Sequence, residues 1–229
     1  IGYFRVYQSG YRQHHGLFYH PYMLDKKEMQ ILEDFAKKEH IPLYEVDEFI
    51  DGVFYKEVFE RRALCVGFNL AFDLSRLAFD VGQSRKNNKG GFTLHLSWRQ
   101  WNPPVIIKKL GSAHSLKFST MVSSKLRGYF PGYFLDIQTL AEVLFKVEHL
   151  SLARLGDLLD LKNKKIDGGE HGRVTEKYIE YNIRDVVATY EAYTRLMEEL
   201  NRYKIEIPPT KIFSSASLGN HVLQQLGIR

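Results

Sequence analysis

Hydrophobic positions along the chain change rhythm several times, and each rhythm predicts an element. Residues 2–8 and 16–20 read as two strands around a turn near Gly10. In KKEMQILEDFAKKEH (26–40), Met29, Leu32, Phe35 and Ala36 recur at helical spacing, and Pro42 ends the pattern. VDEFIDGVFYKEVFE (46–60) predicts a second amphipathic helix. ALCVGF (63–68) is short and wholly apolar, which predicts a central buried strand, and a helix follows from Asp73 to Phe79. GGFTLHLSW alternates, with Phe92, Leu94, Leu96 and Trp98 on one face and Thr93, His95 and Ser97 on the other. VIIKK and HSLKFS flank Gly111 as a hairpin. YFLDIQTL (133–140) enters as a strand and leaves as a helix, with Asp136 at the junction. SLARLGDLLDL (151–161) predicts a short helix capped by Ser151, and GGEHG (168–172) a loop. Residues 175–200 predict the longest helix, with Thr175 as its cap and Pro208 beyond it. The alternation of strands and helices predicts an α/β fold.

Composition narrows the picture. With 229 residues and 44% hydrophobic content, the chain has material for a sizeable core in one large or two small domains. No run reaches the ~18 apolar residues of a membrane helix. Cys65 is the only cysteine, which excludes an internal disulfide and a cysteine-based zinc site and fits a reducing, cytoplasmic setting. The opening IGYFRVYQSG has no initiator Met and reads as strand from the start, so a piece of a longer polypeptide is expected. Charge is uneven. Gly82 to Gly128 holds nine Lys or Arg and no acid; removing that +9 from the overall +5 leaves −4 elsewhere. The same stretch carries Phe92, Trp98, Trp101 and Phe118. Cationic residues interleaved with aromatics suit a polyanion with stackable bases; a solvated hairpin with inward aromatics is the other reading.

Two acids are candidates for chemistry. Asp185 follows Tyr181 by four residues, so both lie on one helix face about a turn apart. This fits a solvent-facing acid with a half-buried phenol. It also fits a hard-cation ligand beside a group aimed at a phosphate and its attacking water. Asp73 follows the apolar strand, at the sheet mouth where sites gather. Its neighbours Phe72 and Leu74 predict limited solvent, and a carboxylate there needs a metal or a donor. The alternative is an acid favoured by the helix dipole.

GFNLAFD, with Asn69, Phe72 and Asp73, resembles the second exonuclease motif of the DnaQ-like, RNase H-fold proofreading nucleases, in the form typical of family B DNA polymerases. YNIRD, with Tyr181 and Asp185, resembles their third motif, Y-x-x-x-D, and FLDIQTL and SLARLGDLLDLKNKKID are similar to the segments between. The resemblance spans about residues 2 to 200. TKIFSSASLGNHVLQQLGI (210–228) resembles the passage from exonuclease to polymerase in some bacterial and phage relatives. The histidine version of the third motif places His where Glu180 stands, so the tyrosine class is implied.

The resemblance implies an RNase H-like mixed central sheet flanked by helices, with an inserted β-hairpin at about 82–128. It implies an exonuclease-like domain over 1–205, and the start of a following, polymerase region over 206–229. The implied activity is 3′→5′ proofreading hydrolysis at DNA 3′ ends. Two Mg²⁺ or Mn²⁺ ions about 4 Å apart would be held by acids including Asp73 and Asp185. Tyr181 would orient the attacking water. Asn69 and Phe72 would position the terminal nucleotide, although Phe72 reads equally as core. Lys108 and Lys109 would contact the DNA. Implied partners are single-stranded DNA or a primer 3′ end and a polymerase domain of the same chain, in a cytoplasm of bacterial, phage or plasmid origin.

One part of the pattern is missing. The family's first strand carries D-x-E, and no D-x-E occurs in this sequence. A chain that starts just after that strand accounts for this, as does a degenerate, inactive domain. Asp25, Glu28, Asp47, Glu48 and Asp51 lie in predicted helices or loops and are poor substitutes. Half a metal site and weak hydrolysis are therefore expected. Asp136 is expected as a helix cap, and His171 as a polar loop residue. The rivals are a ribonuclease of the same superfamily and an inactive nucleic-acid-binding domain.

Overall fold

Strand β1 (Gly2–Gln8) reverses through Ser9 and Gly10, both at positive φ, and pairs antiparallel with β2 (Tyr11–Tyr19). The computed structural model describes all residues except 85–88, 111–112, 121–127, 164–171, 203, 205 and 229. Helix α1 (Lys26–Lys38) starts at a capping box in which Asp25 accepts from the Lys27 and Glu28 amides and Glu28 accepts from the Asp25 amide. Its apolar stripe, Leu32, Phe35 and Ala36, packs with Tyr3 and Leu17 of the hairpin. β3 (Leu43–Glu45) then adds parallel to β2.

Helix α2 (Val46–Phe49) does not continue as α. It widens into a π-helical stretch (Ile50–Glu60), where the sequence predicts one uninterrupted α-helix. Phe49, Phe54 and Phe59 are spaced by five, closer to an i→i+5 turn than to a 3.6-residue one. Phe49 and Phe54 are buried in the core that this stretch shares with Leu94, Val105 and Phe118, and Phe59 packs against it.

β4 (Leu64–Gly67) pairs parallel with β9 (Tyr133–Asp136). Between them come α3 (Leu70–Leu77) and a four-stranded antiparallel meander: β5 (Asp80–Gln83), β6 (Gly91–His95), β7 (Val105–Leu110) and β8 (Ala113–Phe118). The expected hairpin is present as β7–β8, but it is half of this larger sheet, because β5 and β6 extend it. The turn at Gly111 lies outside the described residues. After β9 come α4 (Ile137–Phe145), α5 (Leu152–Leu158) capped by Ser151, α6 (Glu176–Arg202) with Thr175 accepting from the Tyr178 amide, a 3-10 turn (Pro209–Lys211) and α7 (Ser215–Gln225). Among the described residues the fold is mixed α/β, with seven α-helices and three sheets of mixed strand direction.

Helix α6 packs across both β1 and β4. Tyr7 of β1 stacks on Tyr190 of α6, with ring centroids 3.6 Å apart. Toward its other end, Ala192, Leu196 and Leu200 join Leu135, Leu140 and Leu155, and Ile212 is buried in the same cluster. Among the described residues, β1 and β4 each pair with a strand on one side only. The expectation of a central β4 is therefore not met, and its Leu64, Cys65 and Val66 are half-buried. Among the described residues, no helix is long and apolar enough to cross a membrane.

Candidate active site

The parallel register sets Gly67, the last residue of β4, opposite Asp136, the last of β9. Both strands thus end at one rim, where side chains from two following helices meet. From β4 the chain turns through Asn69 in the left-handed conformation, φ 61° and ψ 46°. Asn is one of the few residues with a Cβ that adopts this conformation readily. The Asn69 side chain makes no capping hydrogen bond to α3.

Asp136 does that work from across the rim. Its Oδ1 accepts from the Asn69 amide at 3.1 Å and the Gln138 amide at 3.0 Å, while Oδ2 accepts from the Leu70 amide at 3.1 Å. One buried carboxylate therefore ties down the first turns of both α3 and α4. Burial pushes its carboxyl above the ordinary range, against the backbone donors that favour the charged form. The expected capping role holds, and it extends to two helices.

Asp73 stands on the first turn of α3, and its carboxyl is pushed up from 3.8 to about 6. Burial is the first cause; repulsion from Asp136 and Asp185 adds to it. Asp73 as a residue reaches solvent, but the carboxyl looks into protein on its inner side. Its two neighbours do not enclose it as expected. Leu74 is buried, whereas Phe72 is 51% exposed, because successive helical residues point about 100° apart. The core reading of Phe72 is thus overturned. The Arg76 guanidinium lies over its ring, 5.0 Å from the centroid.

Asp185 comes from α6, with its Oδ1 withdrawn from solvent. Tyr181 lies one turn earlier, half-buried, with its ring nearly parallel to that of Tyr178. The fold thus brings Asp73, Asp136 and Asp185 within electrostatic range and sets Asn69 and Phe72 beside Asp73. Lys108 and Lys109 are on β7 of the separate meander. As consecutive strand residues they project from opposite faces, so they do not form one phosphate contact. His171 lies outside the described residues.

Among the described residues, no three His, Cys, Asp or Glu side chains are grouped closely enough to hold a metal ion. Asp73 and Asp185 offer hard oxygen ligands suited to Mg²⁺ or Mn²⁺, but Asp136 spends both its oxygens on backbone donors. Four of the other acids considered are engaged elsewhere. Asp25 and Glu28 cap α1, Glu48 accepts from the Glu45 amide, and Asp51 binds Ser97, Asn102 and Arg99. Among the described residues no ion site is completed. Burial, with Asp73 nearby, pushes the Cys65 thiol up to about 12, which leaves it inert as a nucleophile.

Two residues escaped the sequence reading, Arg76 and Phe79. The one-turn spacing from Phe72 was the signal for Arg76; Phe79 lies beyond α3, past the extended Ala78, and had none. Comparison with protein families, with characterised proteins and with solved structures finds no match to this chain.

Proposed function

We propose that the chain is the larger part of a 3′→5′ exonuclease domain of RNase H-like fold, proofreading for a family B-like DNA polymerase. The observation that carries this reading is the meeting of Asp73, Asp136 and Asp185 at the ends of a parallel strand pair, with the Asp73 carboxyl pushed up to about 6. A fold that crowds acids at this rim raises its own energy, and such sites are more often functional than structural. The position of α6 across β1 and β4 supports it too. One strand seated between them would join two sheets into one and end beside Asp73. The D-x-E acids of the proposed family belong on such a strand.

In this reading the exposed Phe72 ring offers a stacking face for the terminal base, Asn69 holds the terminal nucleotide and the Tyr181 hydroxyl orients water. Asp73 and Asp185 supply two of the four acids. A complete set would take Mg²⁺ or Mn²⁺. That set is not complete among the described residues.

The rival with an observation behind it is an inactive nucleic-acid-binding domain, favoured by the absence of a three-ligand group among the described residues. The deciding experiment is digestion of 5′-labelled single-stranded DNA and of RNA of the same sequence, with Mg²⁺. The enzyme is the longest encoded polypeptide containing this chain, as wild type and Asp185→Ala. A DNA ladder lost in the variant supports the proposal. A ladder on RNA alone makes this a ribonuclease. No ladder, with DNA still bound, makes it a binding domain.

A further inference from the structure

The loop between β6 and β7 is built to hold two tryptophans in the open. Trp98 is 69% exposed and Trp101 67%. These are the only tryptophans in the chain. Exposed indoles on a monomer call for an explanation, because their large apolar area favours burial. The polar residues beside them face inward. Ser97 donates to Asp51 Oδ1 at 2.6 Å, Asn102 Nδ2 donates to the same oxygen at 3.0 Å, and the Arg99 amide donates to Ser97 Oγ at 3.0 Å. Arg99 Nε pairs with Asp51 Oδ2 at 2.9 Å. Below them the buried Tyr55 hydroxyl donates to the Pro103 carbonyl at 2.9 Å. The loop is pinned to the π-helical stretch through Ser97, Arg99, Asn102 and Pro103, with both tryptophans left outside.

Trp98 has one face occupied. It stacks on Phe79, with centroids 3.6 Å apart and planes 18° apart. Phe79 is itself 42% exposed and lies two residues beyond α3, after the extended Ala78. Phe72 and Arg76, four apart, share one side of α3, and the chain then leaves the helix through Ala78 to reach Phe79 and the stacked pair. The Arg99 guanidinium stands 6.0 Å from the Trp101 ring centroid. The surrounding segment, Gly82 to Gly128, has nine cationic residues and no acid.

We infer that Phe79, Trp98 and Trp101 form a preorganised base-stacking platform that receives single-stranded DNA on its way to or from Phe72 at the rim. The inference rests on the proposed nuclease reading for its direction, and on the pinned loop, the stacked pair and the charge for its chemistry. Aromatic faces bind any base, so the platform is indifferent to sequence. A protein partner is the competing occupant, and the acid-free run of sequence from Gly82 to Gly128 favours the polyanion.

The two tryptophans are their own reporters. Short oligo(dT) is titrated into the full chain with chelator present, so that no cleavage intervenes, and indole fluorescence is followed. Saturable quenching is expected. An abasic oligomer of the same length should bind weakly and quench little. Trp98→Ala and Phe79→Ala should each weaken oligo(dT) binding about 5- to 100-fold, while Trp98→Phe, which keeps an aromatic face, stays near wild type. Trp98 is largely exposed, so Trp98→Ala should melt close to wild type. Equal binding of dT and abasic oligomers, or binding that ignores Trp98→Ala, overturns the platform and leaves phosphate contacts elsewhere. Absence of oligonucleotide binding, with self-association that Trp98→Ala abolishes, overturns it in favour of a protein interface. Quenching without any DNA ladder from the longer polypeptide sinks the nuclease reading alone. A ladder without quenching sinks the platform alone.

Discussion

Asp73 should lower the stability of the protein that carries it, and neutralising it tests this. Its carboxyl stands at about 6 in the folded chain against 3.8 as the ordinary value. Two units correspond to about 3 kcal/mol at full strength. Asp73 reaches solvent, which screens the repulsion, so about 1 kcal/mol is the expected net effect. The sign follows from proton binding. Between about pH 4 and 6 the folded state holds the Asp73 proton more tightly than the unfolded chain does. Stability from this group therefore falls as pH rises through that window, and the full penalty applies above it. Asp73→Asn keeps the shape and removes the charge. The variant should be about 1 kcal/mol more stable than wild type at pH 7.5, about 2–4 °C in melting temperature for a chain of this size. The difference should vanish near pH 4, where wild-type Asp73 is protonated. Urea unfolding of both proteins at pH 4, 6 and 7.5 measures this. A variant less stable than wild type at pH 7.5, or a gap that persists unchanged at pH 4, would refute the assignment of Asp73 to a strained acid cluster.

Asp136→Ala should cost about 3 kcal/mol in urea unfolding, because it leaves three amides at the starts of α3 and α4, that of Leu70 buried, without their acceptor. Gly132→Ala should cost about 2 kcal/mol or more: Gly132 sits at φ +84°, and a Cβ there would meet Phe134 Cε2 at 2.5 Å. Lys108→Ala and Lys109→Ala project from opposite faces of β7, so only one of them should flatten the salt dependence of oligonucleotide binding, by about 0.7 in log–log slope. Equal effects from both would contradict the strand geometry.

Much of the fold was legible because local chemistry and tertiary demand agree. Asp136, Ser151 and Thr175 were read as caps, and each accepts from an amide in the first turn of its helix. The wholly apolar ALCVGF does have two covered faces: Cys65 packs on one cluster, Leu64 and Val66 on another. Its open edge was not legible, since pairing partners leave no mark on a strand's own pattern. β5 was missed because DVGQ is four residues long and has no apolar period. In GGFTLHLSW the period assigned the face but not the reach of the core. Leu94 and Leu96 are 1% and 2% exposed, while Phe92 and Trp98, at the two ends, are 55% and 69% exposed. At the site, the one-turn spacing of Tyr181 and Asp185 placed them on one face of α6. That this face brings Asp185 into range of Asp73 depends on how α6 crosses the sheets, which no local spacing encodes.

Among the described residues, the edges of β1 and β4 that lack a strand partner carry a liability for handling. Each offers a row of backbone donors and acceptors to any passing strand, and β1 is seven residues of GYFRVYQ with three aromatic rings. Its central Arg5 is drawn in toward Tyr3 and Tyr7, so the one charge that would discourage pairing is partly occupied. Such an edge is a template for β-augmentation, by a second copy or by an unrelated chain. Residues 1–229 in isolation should therefore precipitate or form strand-paired oligomers as concentration rises. A short peptide designed to lie along β1 should serve at once as a solubiliser and as a probe of that edge.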